Sequence, residues 1–239
     1  MASSIEAMQD AEKVPGPIYV YEAPVRAWHW IHALSIFVLA GTGYLIANPL
    51  PTLSGEASDH FLMGTIRLVH FIAAFVFAAG LFVRTYWAIV GNEFARELFI
   101  VPMWRGEWWK RVWHEIKFYA FATRKMSKNP GHNPLAQFFM WAVNVVLALF
   151  MVCTGFALYS QGTGAGSWAD RMFGWVFVIE PSSQTVRMWH LMGMWLMLLF
   201  IIIHIYMVIR ADVMSRQNGI SVMINGWRTF KDDGPLSPQ

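Results

Sequence analysis

"HLMGMWLMLLFIIIH", His190–His204, is the stretch that decides how this chain is read. The thirteen residues between its two histidines carry no charge, and nearly all are Leu, Ile, Met, Phe or Trp. Such a run is soluble in lipid, where an ionisable side chain is costly and so marks a functional position. Fourteen residues separate the two histidines. On an α-helix that is roughly 21 Å along the axis, and fourteen steps of about 100° return to within some 40° of the same face. The segment predicts one helix that turns two imidazoles toward the same side, one near each membrane surface.

The remainder of the chain must supply their neighbours. A spanning helix needs about 20 mostly apolar residues. Four segments qualify, at about 24–47, 63–90, 134–159 and 186–210. Pro24 suits the first turn of the first helix. Helices are expected because backbone groups in lipid must be bonded within their own segment. The composition agrees. Of 239 residues 56% are hydrophobic and 14% charged, against about 25% charged in soluble domains. The mean hydropathy is +0.40. The formal charge of +3 is too small to suggest nucleic acid as a partner. The single cysteine, Cys153, excludes an internal disulfide and any cysteine-built cluster made by this chain alone. No C-x-x-C-H is present, which excludes covalently attached haem. About two dozen polar and mixed residues precede the first apolar run, so neither a cleaved signal peptide nor a twin-arginine signal is expected.

Charge orients the spans. Between Gly91 and Asn133 lie eight basic residues: Arg96, Arg105, Lys110, Arg111, Lys117, Arg124, Lys125 and Lys128. The tail adds Arg216, Arg228 and Lys231. The loop Asn48–Leu62 has none and carries Glu56 and Asp59, while the loop after the third span has only Arg171 before Arg187. By the positive-inside rule both termini and the long central loop face the cytoplasm. Within that loop, "MWRGEWWKRVWHEIKFYAF" places Trp108, Val112, Ile116 and Tyr119 at helical spacing among Lys110, Arg111 and Lys117. This predicts an amphipathic helix on the cytoplasmic membrane surface, with a helix packed on its neighbours as the alternative. The expected fold is therefore an all-α membrane protein: a four-transmembrane-helix bundle with both termini cytoplasmic, plus a cytoplasmic surface amphipathic helix. Residues 1–23 form an N-terminal segment, 24–214 the transmembrane domain and 215–239 a C-terminal tail ending in a disordered "KDDGPLSPQ".

Depth then pairs the histidines. The second and fourth spans both enter from outside, so His70 matches His190 near the outer surface. The first enters from the cytoplasm, so His29 matches His204 near the inner one. The third span has no histidine and reads as a packing wall. Two imidazole pairs at two depths fit two b-type haems with bis-histidine ligation. Zinc would want three or four ligands at one level. No Asp or Glu lies in a span core, which argues against a proton pump. Haem propionates need cations. Arg67 lies one turn outward of His70, and Arg84 follows His70 by fourteen residues on the same face; the alternative for both is snorkelling to lipid headgroups. His32, one turn after His29, could replace it as a ligand or support a propionate, while His60, His114 and His132 read as loop histidines.

Several stretches carry a resemblance. "YEAPVRAWHW" (Tyr21–Trp30), "RELFIVPMW" (Arg96–Trp104), "GHNPLAQ" (Gly131–Gln137), "WHLMGMW" (Trp189–Trp195) and "HIYMVIRADVMS" (His204–Ser215) resemble the b-type cytochrome subunit of membrane-bound nickel–iron uptake hydrogenases, from about Ile18 to Lys231. The cytochrome b subunits of formate dehydrogenases share the four-helix, two-haem plan but not these loop motifs. The resemblance implies an electron-transfer subunit in the bacterial inner membrane rather than a catalytic one. It implies partners too: the hydrogenase iron–sulfur small subunit, through its C-terminal membrane helix, and beyond it the nickel–iron large subunit. Electrons would reach the outer haem first, then the inner haem, then membrane quinone. His70, His190, His29 and His204 match the family's ligand positions. Quinone reduced with cytoplasmic protons while hydrogen oxidation releases protons outside would build a proton-motive force. His32, Arg84, Tyr86 and Tyr206 lie at the depth expected for quinone, and the interfacial aromatic belt equally accounts for the two tyrosines. The outer loop "SQGTGAGSWADRMFGW" is expected to dock the partner. Competing readings are a formate dehydrogenase cytochrome, a stand-alone quinol oxidoreductase resembling cytochrome b561, and a transporter whose histidines bind substrate or metal.

Overall fold

The computed structural model describes residues 16–51, 60–123, 127, 129–215 and 218–230. Expectations for Glu56, Asp59, Arg124, Lys125, Lys128, Arg216 and Lys231, and for the final tail, lie outside the described residues. In chain order the elements are β1 (Ile18–Tyr19), α1 (Ala23–Ala47), α2 (Leu62–Val90), α3 (Glu93–Arg96), α4 (Gly106–Tyr119) and α5 (Pro134–Trp141). A π-helical stretch (Ala142–Leu147) then leads into α6 (Ala148–Thr163), followed by α7 (Trp168–Phe173), α8 (Trp175–Ile179), α9 (Ser183–Ser215), α10 (Gly219–Asn225) and β2 (Trp227–Arg228). Among the described residues, four helical runs are long and apolar enough to cross a membrane: α1, α2, Pro134–Thr163 and α9. Their outer faces are apolar and bare, with Leu34 66%, Phe82 78% and Ile202 67% exposed. Faces of that kind need a lipid solvent, and this is a multi-pass membrane protein.

Three of the expected span ends move by several residues. The third span runs on to Thr163 rather than 159, ending at Gly164, whose φ is +88° and whose N–H bonds Ser160 O at 2.9 Å. The fourth begins at Ser183 rather than 186 and continues to Ser215 rather than 210. Its early start follows from Ser182, whose hydroxyl accepts from Thr185 N at 3.2 Å. Capping starts a helix among polar residues that hydropathy reads as loop. At the other end, Arg210 donates to Phe118 O at 2.7 Å and its guanidinium lies 3.7 Å from the Phe121 ring centroid. The charge is thereby held against protein, and the helix continues past it.

The chain divides into two compact units. One comprises Met1–Arg26, Trp87–Trp141 and Ile202–Gln239. Its first apolar cluster joins Val20, Tyr21, Val25, Phe94, Ala95 and Val222. β1 and β2 pair antiparallel, Ile18 opposite Arg228 and Tyr19 opposite Trp227. Glu22 Oε2 accepts from Trp87 Nε1 at 2.9 Å and Asn92 N at 3.0 Å. Asn92 in turn caps α3 by accepting from Ala95 N at 3.0 Å. Three of the quoted motif stretches meet here. His132 N donates to Glu97 Oε2 at 2.9 Å, its Nδ1 lies 3.1 Å from the same oxygen, and Tyr21 OH approaches that nitrogen at 3.3 Å. Gln137 Nε2 donates to Glu97 O at 3.0 Å. Asn133 Oδ1 accepts from Ala136 N at 2.7 Å, starting α5 with Pro134 in its first turn. His132, expected as an ordinary loop histidine, is thus built into a network.

The second apolar cluster of this unit involves α4. The buried residues of α4 are Trp108, Val112, Glu115 and Phe118, while Ile116 is exposed. Trp108 and Val112 pack with Val101, Leu135 and Met207. One face of α4 thus packs on protein, and Trp109 and Trp113 lie on its exposed side. Glu115 is fully buried. Ser127 Oγ donates to its Oε1. Asn129 Nδ2 donates to Ser127 Oγ at 2.8 Å, and Arg111 Nη2 donates to Asn129 Oδ1 at 2.9 Å. Burial pushes the Glu115 carboxyl above its ordinary range, with the Ser127 bond, His114 and Arg111 pulling the other way. Burial, reinforced by Glu115, lifts the Tyr119 phenol to about 12.

The other unit comprises Ala27–Tyr86 and Ala142–Ile201. The loop after the third span folds into α7 and α8. Ser167 caps α7 by accepting from Asp170 N at 3.2 Å, and Asp170 Oδ2 accepts from Gly166 N at 2.8 Å. Ala169 and Val176 are buried, and Val176 packs with Ala157 and Val186.

Glu115 generates a pH prediction. A carboxyl whose folded value is raised binds its proton more tightly folded than unfolded. It therefore costs nothing below its ordinary value and destabilises increasingly as pH climbs toward the folded one. Glu115→Gln should remove that slope: between about pH 5 and about pH 8 its Tm in mild detergent should fall less than the parent's. Equal falls would contradict the burial argument.

Candidate functional site: a cavity between two histidines

All of this site lies in the unit built from Ala27–Tyr86 and Ala142–Ile201. A cavity of about 580 Å³ is lined by both His70, from α2, and His190, from α9. The structure thus brings together the outer histidine pair expected from depth. Its walls are mostly apolar, including Phe71, Met151, Leu191 and Met194.

Each imidazole is held by a threonine from a different helix. Thr42 Oγ1 on α1 lies 2.8 Å from His70 Nδ1, and Thr154 Oγ1 on α6 lies 2.8 Å from His190 Nδ1. Each threonine is followed by a glycine that lines the same cavity. A Cβ at Gly43 would stand 3.3 Å from His70 Cε1, and one at Gly155 would stand 3.1 Å from His190 Cε1. Glycine leaves that space open beside each ring. The third span is therefore more than a packing wall, because it contributes Thr154 and Gly155. Its π-helical stretch lies just upstream, and such insertions turn the residues beyond them to a new face.

Arg67 lines the cavity as expected, and so does Arg187, which sequence reasoning did not single out. A signal was present: Arg67 precedes His70 by three residues and Arg187 precedes His190 by three. The Thr-Gly pairs at Thr42-Gly43 and Thr154-Gly155 repeat in the same way. Two R-x-x-H helices and two T-G helices thus make one site with matched halves.

Arg84 lies elsewhere. It is buried, with its guanidinium 5.5 Å from the Trp28 ring centroid. Trp28 stacks on His32 at 4.8 Å, and His32 stacks on Phe77 at 4.2 Å. His32 is 5% exposed, and neither ring nitrogen has a hydrogen-bond partner among the described residues. Of the inner pair, His29 falls in this unit and His204 in the other. His29 stands edge-on to Trp30 at 5.0 Å. Of the quinone candidates, Tyr206 OH donates to Tyr119 O at 2.9 Å, and Tyr86 is 60% exposed, as a belt residue would be.

The cavity fits a haem b. His70 and His190 would hold it, the apolar walls and the room beside both rings would accommodate it, and Arg67 and Arg187 would suit its anionic carboxylates. Among the described residues no three His, Cys, Asp or Glu side chains come together as a four-coordinate ion would require.

The comparisons agree with this geometry. Residues 20–226 match the family model described as prokaryotic cytochrome b561. The probable Ni/Fe-hydrogenase B-type cytochrome subunit of Azotobacter chroococcum is 53% identical, covering 98% of this chain and 99% of that protein. The corresponding protein of Rhizobium leguminosarum is 54% identical over 90% of each. The probable Ni/Fe-hydrogenase 1 B-type cytochrome subunit of Escherichia coli is 47% identical over 89% of this chain and 91% of its own length. Paired histidines lining an apolar cavity within membrane helices are what a b-type cytochrome requires, and with matches of this length the chain belongs to the prokaryotic cytochrome b561 family, in its group of nickel–iron hydrogenase B-type cytochrome subunits.

Proposed function

We propose that this chain is the membrane anchor and electron conduit of a hydrogen:quinone oxidoreductase in the bacterial inner membrane. It takes electrons from the iron–sulfur small subunit of a nickel–iron hydrogenase on the outer side and delivers them to membrane quinone. The hydrogen chemistry belongs to the nickel–iron large subunit, reached through the small subunit and its C-terminal membrane helix. The observation that carries this reading is the cavity flanked by His70 and His190, each imidazole backed by its own threonine. The names of the relatives point to the hydrogenase partner rather than to formate dehydrogenase.

Two haem b groups are proposed, one between His70 and His190 and one between His29 and His204. Each supplies a reversible one-electron couple at its level. The inner pair rests on helix register and spacing. Arg67 and Arg187 neutralise carboxylates at the outer level, while Arg84, held against Trp28, serves the inner one. The apolar walls keep water from the ligand nitrogens. The termini and the basic central loop are assigned to the cytoplasm by the positive-inside rule.

Haem content per chain tests this directly. The purified protein should hold two non-covalent haem b, with His190→Ala and His204→Ala each losing a different one. A single parental haem would overturn the two-level assignment, and well-folded protein with none would overturn the cytochrome function. His29→Ala should behave like His204→Ala, whereas His32→Ala should keep both haems; the reverse would make His32 the ligand.

Net charge movement provides a second test. Hydrogen-fed proteoliposomes of the whole complex should reduce quinone and develop a membrane potential that collapses with an uncoupler. Quinone reduction without any potential would place the quinone at the outer level.

A further inference from the structure

We propose that Thr42 and Thr154 are positioning residues that fix the tautomer of His70 and His190 and set the redox potential at the outer level. The inference rests on the outer-haem reading above and adds what decides the ligands' electronic character.

A threonine hydroxyl has one proton and two lone pairs. Thr42 Oγ1 lies 2.6 Å from Val38 O, the carbonyl one turn back on its own helix, with Leu39 O at 3.3 Å. Thr154 Oγ1 lies 2.8 Å from Phe150 O, with Met151 O at 3.4 Å. Carbonyls only accept, so both hydroxyl protons are committed to the backbone. Each oxygen then faces imidazole Nδ1 at 2.8 Å with lone pairs alone. The proton of that contact must come from Nδ1. His70 and His190 are therefore both Nδ1–H tautomers, with a bare lone pair on Nε2, the form an axial ligand needs. The network dictates the tautomer because every alternative leaves two lone pairs facing each other in lipid-surrounded protein.

An acceptor at Nδ1–H also makes the ring a better electron donor through Nε2. A more basic ligand favours the oxidised metal and lowers the potential. A hydroxyl is a weaker acceptor than the carboxylate often found behind metal-bound histidines, so the lowering is moderate. Gly43 and Gly155 keep the ring edges clear, so the threonine contact sets ring orientation.

The test is a potentiometric haem titration of the purified chain, following each haem's absorbance. Thr154→Val is near in shape but has no hydroxyl, so the outer potential should rise. The expected size is about a tenfold change in the oxidised-to-reduced ratio at fixed poise, which is 59 mV for one electron. Thr42→Val should shift it in the same direction, and the inner haem should not move. Thr154→Ser should restore the parent value, which a purely steric role would not require. Unchanged outer potential in both valine variants, with both haems retained, would overturn the inference while leaving the haem assignment intact. So would a serine variant that shifts like valine. If His190→Ala retains two haems, the outer-haem reading and this inference fall together. Should Thr154→Val fail to fold, the Thr42→Val and Thr154→Ser titrations still decide it.

Discussion

A polar group placed in the apolar part of this protein is costly unless it finds a partner within the protein. Backbone groups meet that demand by forming helices. His70 and His190 meet it in a more specific way. A threonine in a helix discharges its proton into the carbonyl one turn back, and what remains is an acceptor of fixed position. Both outer histidines are held by such an acceptor. The polar ligand set of the cavity is thereby stable in an apolar surround, and the same bonds leave the opposite ring nitrogens available.

The repetition across the site has a structural reason. His70 and His190 line one cavity, and the chain supports each of them with the same parts. An R-x-x-H turn puts a guanidinium one turn from each imidazole, and a T-G pair on a second helix anchors the ring while leaving room at its edge. Four helices are therefore recruited to one cavity.

The loop motifs that carry the family resemblance do different work. Glu97, His132, Tyr21 and Gln137 bond one another in the unit that also holds α4 and the β1–β2 pair. Residues far apart in sequence are tied there by side-chain to backbone bonds, which short irregular segments need when they are partly buried. Glu115, Ser127, Asn129 and Arg111 extend the same logic on α4. These motifs are legible as a signature, yet nothing in their spacing says that they serve the loops.

Much of the fold was written locally. Apolar length fixed four spans, and the fourteen-residue interval between His190 and His204 fixed two histidines on one face, because helix periodicity is a property of the chain alone. Depth matching brought His70 to His190 because spans run straight from one surface to the other. The sequence was weaker wherever a side chain's role depends on what it touches. Thr42, Thr154, Gly43 and Gly155 are ordinary residues in apolar helices until a histidine from another helix lies against them. Ile116, placed in the apolar stripe by its spacing, is exposed, and Glu115 beside it is buried, because helical spacing gives the period of a stripe but not which side its neighbours occupy. The histidine pair was legible from chemistry and periodicity; ring support and burial came only from tertiary contact, since a hydrogen bond is decided by the group on its far side.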